Sequence, residues 1–155
     1  MLVHRCALDQ HRLILPVSVT KPVFQNDGFH AGFNRSEYRA LVDTGAQRSV
    51  VSRSVIQEQQ LVRIGHMQFA GLHGARTHSR YLAIIGLWVH RIDRHDPPDT
   101  YSHAERSLFN LDETVEVVDM DDNLNFDLIL GFDVLKQSTF RFDRNEQTFE
   151  LQVSD

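Results

Sequence analysis

Nine short runs of apolar, β-branched or aromatic residues punctuate this 155-residue chain, at 12–20, 38–42, 49–51, 67–70, 81–89, 114–118, 126–130, 139–142 and 148–153. Gly, Pro, Asp or Asn bounds most of them, and none has the length and period of a long amphipathic helix. A chain of this kind satisfies its backbone by pairing strands, so an all-β fold is predicted. At this length one hydrophobic core, and so a single domain over 1–155, is expected. Helix is confined to one or two short segments. One follows Ser52 or Ser54, where Ser54-Val55-Ile56-Gln57 fits a capping box; the other runs from Asp133 through Gln137 with Asp133 as N-cap.

The last two runs, alternating through Phe140-Arg141-Phe142 and Phe149-Glu150-Leu151, predict a terminal hairpin over 139–153, a natural dimer surface. Segment 90–110 contains Asp96-Pro97-Pro98-Asp99, has no usable period and is expected to be a surface excursion. Trp88, Phe126 and Phe132 are expected in the core, and the acidic run 119–122 in a solvated loop.

Charge and composition exclude several function classes. A formal net charge of -5 does not supply the basic stripe that a nucleic acid backbone demands, so no nucleic acid partner is expected. The lone Cys6 rules out an internal disulfide. The apolar stretch Leu13-Ile14-Leu15-Pro16-Val17 is far too short for a spanning helix, so no membrane segment is expected, and the cytoplasm is the expected location. There are nine His, yet no His-Glu-x-x-His arrangement and no compact Cys and His spacing, so no metal and no cofactor are expected. Nor is there a Gly-x-Ser-x-Gly nucleophile elbow.

What remains is a carboxylate. Leu41-Val42-Asp43-Thr44-Gly45-Ala46 puts one in a glycine-containing turn directly after an apolar run. Alone this is a weak signal, because Asp43 also fits an Asx turn with no chemistry attached. Some ninety residues on, Leu128-Ile129-Leu130-Gly131 supplies a second apolar run ending in Gly, and the two motifs together favour catalysis. Hydrolysing a peptide with carboxylates and no metal takes two of them, one ionised to accept a proton from water and one protonated to polarise the carbonyl. The chain holds a single Asp-Thr-Gly. Its counterpart has to come from a second copy across a two-fold axis, where like charges share one proton.

The stretch Ala40-Leu41-Val42-Asp43-Thr44-Gly45-Ala46-Gln47 followed by Ser49-Val50, with Leu128-Ile129-Leu130-Gly131-Phe132-Asp133-Val134-Leu135, resembles the retropepsin family of dimeric aspartic proteases. The resemblance implies a closed, barrel-like β fold with Asp43 as catalytic residue. It further implies Thr44 in a hydrogen-bonded grip between subunits, Gly45 lining the substrate cleft, and Ala46 completing the turn. Leu130 and Gly131 form its second motif. A glycine-rich flap is implied between the motifs; the candidate is 67–89, with Gly71, Leu72, His73 and Gly74 at its tip and His73 and His78 facing solvent.

Viral members commonly pair an acidic residue after Asp-Thr-Gly-Ala with an Arg after the second-motif Gly. Gln47 and Phe132 stand here instead, which makes the chain more similar to cellular and bacterial retropepsin-like proteins. Ala46 lacks the hydroxyl that would stabilise an ionised dyad, so a mildly acidic rate optimum is expected. The function so implied is that of an aspartic endopeptidase working through two copies of Asp43 and an activated water on a peptide or protein substrate. The alternative is a catalytically silent dimer of the same fold that binds an extended peptide or a protein partner.

Overall fold

A computed structural model describes residues 2–8, 12–32, 36–71, 74–91 and 106–153. Among them, in chain order, are β1 (Leu2–Ala7), β2 (Ile14–Thr20), β3 (Pro22–Gln25), β4 (Gly28–Ala31), β5 (Tyr38–Val42), β6 (Val50–Ser52) and α1 (Arg53–Glu58). There follow β7 (Val62–Gly71), β8 (Gly74–Arg91), β9 (Arg106–Asn110), β10 (Val115–Met120), β11 (Leu128–Leu130), α2 (Phe132–Leu135), β12 (Thr139–Asp143) and β13 (Thr148–Val153). The all-β class is as the runs of β-branched residues require.

The 18-residue β8 organises the rest. It pairs antiparallel with β2 from Val17↔Leu87 to Thr20↔Ile84, and with β10 from Val115↔Ala83 to Val118↔Arg80. From β2 the hydrogen-bonded path runs through β5, β11 and β6 to β10, so these strands close into a ring. Closure leaves these strands no exposed edge and wraps them around one core. Alternation decides what fills it: Val17 and Val19 of β2 and Ala83, Ile85, Leu87 and Val89 of β8 all enter the central cluster. Two pairings in the ring are parallel, β5 with β11 and β6 with β10, and they bring residues far apart in sequence to the same end of the molecule.

Outside the ring, β1 leaves β8 at Val3↔His90 and pairs along its full length with β13, which in turn carries β12. Nothing in Leu2–Ala7 alternates clearly, and β1 is absent from the sequence expectation for that reason. Tertiary partners make the strand: Arg5 pairs with Glu150 at 3.1 Å, and the buried His4 places Nδ1 2.6 Å from the carbonyl oxygen of Trp88. The β3–β4 hairpin, likewise unforeseen, turns through Asn26-Asp27 into Gly28 at φ +133° and stacks Phe24 edge-on against Phe29 at 5.4 Å. Asn-Asp-Gly was the available signal for it.

Other expectations need correcting. Arg106–Asn110 is strand β9, paired with β8, and not part of an irregular excursion; the remainder of that excursion from 92 to 105 lies outside the described residues. Phe132 is 59% exposed, because the first turn of α2 aims Val134 and Leu135 inward and leaves Phe132 on the other side. Trp88 and Phe126 are half-buried and also outside the core cluster. Asp119 is a nearly buried residue of β10, bonded on several sides, and not a solvated loop residue.

Of the two expected starts for α1, Ser52 is the N-cap, though it makes no side-chain cap bond; Ser54 lies inside the helix and not at a capping box, and its N–H donates to Asp122 Oδ1 at 3.0 Å. Gly131 is the N-cap of α2, and Asp133 sits in the first turn with its carboxylate turned to Ser49. No helix among the described residues is long and apolar enough to cross a membrane.

Candidate active site

Asp43 stands where the parallel β5–β11 pair ends. The last Cα pair is Leu130↔Val42, and the Asp43 N–H extends the ladder by donating to the Leu130 carbonyl at 3.0 Å. The chain then turns at once: Ala46 N–H donates to the Asp43 carbonyl at 3.2 Å, and Gly45 N–H to Asp43 Oδ1 at 2.9 Å. This last bond is an Asx turn, so the carboxylate closes its own turn while staying exposed along with Thr44 and Gly45. A Cβ at Gly45 would stand 3.2 Å from Asp43 Oδ1, closer than ordinary contact, so a side chain there would crowd the acid. Ala46, half-buried, leads into the second part of the site.

That second part is assembled from the other motif. Leu130 is fully buried, and Gly131 packs so closely on the Asp43 loop that an added Cβ would lie 2.6 Å from the Arg48 carbonyl carbon and 2.9 Å from the Ala46 oxygen. Phe132 N–H donates to that Ala46 oxygen at 2.7 Å. The buried Ser49 hydroxyl accepts from Gly131 N–H at 3.0 Å and donates to Asp133 Oδ1 at 2.7 Å. Asp133 Oδ2 in turn accepts from the Ser49 N–H at 3.0 Å. Four hydrogen bonds thus fix the Asp43 turn to the start of α2. Below them, Asp127 exchanges bonds with Arg39: its Oδ2 accepts from the Arg39 N–H and its N–H donates to the Arg39 carbonyl, both at 2.8 Å, locking the register of β11 on β5.

The β7–β8 hairpin occupies the position proposed for the flap. Gly71 and Gly74 are its last described pair; Leu72 and His73 of the expected tip lie outside the described residues. Gly74 adopts φ +100°, which any side chain would strain. At the base of the hairpin, Asp119 Oδ1 accepts from Ser79 N–H at 2.8 Å, and Asp119 Oδ2 accepts from Arg53 Nε at 3.3 Å. His78 does not face solvent as expected: it is half-buried, with Nδ1 3.0 Å from the Asp119 carbonyl and its ring edge-on to Phe69. Among the described residues, no group of three or more His, Cys, Asp or Glu is placed to hold a metal ion.

Ser49 and Asp127 were not singled out from sequence. Ser49 lies within the first motif and Asp127 one residue before the second, so proximity to the motifs was the only signal for either.

The described residues thus form a closed β ring that presents a glycine-turn carboxylate beside a glycine-led helix. Comparison with solved structures identifies the fold. The crystal structure of a retropepsin-like aspartic protease from Rickettsia conorii matches at TM-score 0.51 and 13% identity, covering 97% of this chain and 92% of that one. The retroviral protease-like domain of Ddi1 from Leishmania major is also similar, at TM-score 0.42 and 14% identity over 93% of this chain and 94% of that one. No protein-family model and no curated protein sequence matches. The chain has the retropepsin-like fold.

Proposed function

We propose that this protein is an aspartic endopeptidase whose active site forms when two copies of the chain bring their Asp43 side chains together. The observation that carries this reading is the exposed Asp43 turn, held rigidly by Gly131, Ser49 and Asp133 at the end of two buried strands. A merely structural Asx turn has no need of that scaffold. One Asp-Thr-Gly per chain makes the site half of a dyad, and a two-fold axis supplies the rest. Thr44, exposed beside Asp43, is available to bond across that axis, and Gly45 leaves room for a substrate main chain.

In the dimer the ionised carboxylate takes a proton from a water held between the two acids. The oxygen of that water attacks the scissile carbonyl carbon, while the protonated carboxyl donates to the carbonyl oxygen. Collapse of the tetrahedral intermediate breaks the C–N bond as one carboxyl gives a proton to the leaving amine and the other carboxylate takes back the proton of a gem-diol hydroxyl, so the dyad ends with one proton, as it began. The β7–β8 hairpin closes over an extended substrate and excludes water.

Digestion of a randomised peptide library across several pH values tests this. Wild type should cleave with a mildly acidic maximum, and Asp43→Asn should lower the rate by about 10²–10⁴-fold. Equal cleavage by both proteins, or none by either, would remove the enzyme claim.

A further inference from the structure

We propose that Glu116 is a positioning residue that couples the β7–β8 hairpin to the Asp43 turn through two arginines. The idea rests on the peptidase reading for its catalytic meaning, though the coupling itself is a property of the fold. Glu116 lies on β10, the strand that pairs with β6 just after the Asp43 turn and with β8 at the base of the hairpin. One of its oxygens, Oε2, accepts from Arg80 Nη1 at 3.0 Å and from Arg48 Nη1 at 3.4 Å. The two arginines belong to the two parts that have to move or stay in concert.

Arg80 is on the hairpin side. It is the β8 residue opposite Gly65, where the β7 register slips and leaves Ile64 bulged. Gly65 takes φ +156°, and a Cβ there would stand 3.0 Å from Arg80 Nη2, so the guanidinium fills the space that the glycine leaves open. A bulge with a glycine is where a hairpin bends, and Arg80 lies over that bend. Arg48 is on the site side, since its backbone is the surface on which Gly131 packs, at 2.6 Å from a notional Cβ. A change at the bulge therefore reaches the Asp43 turn through one carboxylate oxygen.

The other charged groups around the hairpin base hold a separate position. Asp119, on the same strand, bonds Ser79, His78 and Arg53, and Arg53 also pairs with Asp121 at 3.0 Å; none of these touches Glu116. Asp119 anchors the base to α1, whereas Glu116 links it to the catalytic turn. Glu116 and Arg48 are each 42% exposed on their side chains, so the link is modest and adjustable.

Amide hydrogen exchange on the full chain tests the coupling without any substrate. Arg48→Met changes nothing on the hairpin itself, yet exchange at Gln68, Phe69 and 76–79 should speed up by about three- to tenfold, as it should in Glu116→Gln, while β13 amides keep their wild-type rates. In Arg48→Met plus Glu116→Gln the two effects should not add. Hairpin exchange unchanged in Arg48→Met, additive effects, or an equal rise in β13 would each overturn the proposal. With a cleavable peptide, Glu116→Gln should raise KM more than it lowers kcat, because closure of the hairpin is affected and the chemistry is not. A fall in kcat alone would refute the positioning role. Absence of any cleavage in wild type would count against the peptidase reading and leave the exchange result to decide the coupling.

Discussion

Gly131 shows how one missing Cβ holds a site together. Its φ of -88° is open to any residue, so the demand for glycine is purely steric: the Arg48 and Ala46 backbone occupies the side-chain position. Gly131→Ala should cost about 1–3 kcal/mol in urea unfolding, the usual penalty of overpacking, and should also displace the Asp43 turn. Ser49→Ala removes the hydroxyl that satisfies both Gly131 N–H and Asp133 in a fully buried position, and about 1–3 kcal/mol should again be lost. His4 gives a pH prediction. Burial lowers its pKa from 6.5, and the carbonyl of Trp88 can only accept, so Nδ1 carries the proton and the buried Nε2 has no partner for a second one. The folded state therefore binds that proton less readily than the unfolded chain. The stabilisation is complete above pH 6.5 and is lost as pH falls through the lowered folded value. Chemical denaturation measured from neutral to acidic pH should show a shallower decline in His4→Gln than in wild type.

At the scale of elements, local sequence predicted where strands and helices lie better than how they are held. Both helices occur at the expected places, but neither has a side-chain cap bond: Ser52 starts α1 without one, and Gly131, not Asp133, is the N-cap of α2. Asp122, in the run read as a solvated loop, accepts the Ser54 N–H of α1, and Asp122→Ala should cost about 1 kcal/mol, read as a lower melting temperature. No window of local sequence shows that residue 122 will lie beside residue 54. Strand β1 was missed on the same grounds: Arg5 and His4 look out of place in a strand until Glu150 and the Trp88 carbonyl are brought beside them. The β3–β4 hairpin differs, since Asn26-Asp27-Gly28 is a local turn signal and only the strands on either side lack a clear alternation.

For the whole molecule, the ring of β2, β5, β11, β6, β10 and β8 decides that Asp43 and Gly131 meet at all, through the parallel pairing of β5 with β11. The dimer proposed on that basis predicts activity that falls faster than enzyme concentration on dilution, with sedimentation velocity showing a monomer in the same range; a rate strictly proportional to concentration, with monomer throughout, would exclude the two-chain dyad. The sequence by itself determined the β class, the two motifs and the glycine turn at Asp43, because residue spacing, β-branching and the missing Cβ act within a few residues. Tertiary structure alone decided that Phe132 is exposed, that Ser49 and Asp133 hold Gly131, and that Glu116 reaches both Arg48 and Arg80. Those facts depend on which strands become neighbours across tens of residues of chain, and burial and hydrogen bonding are set by neighbours in space.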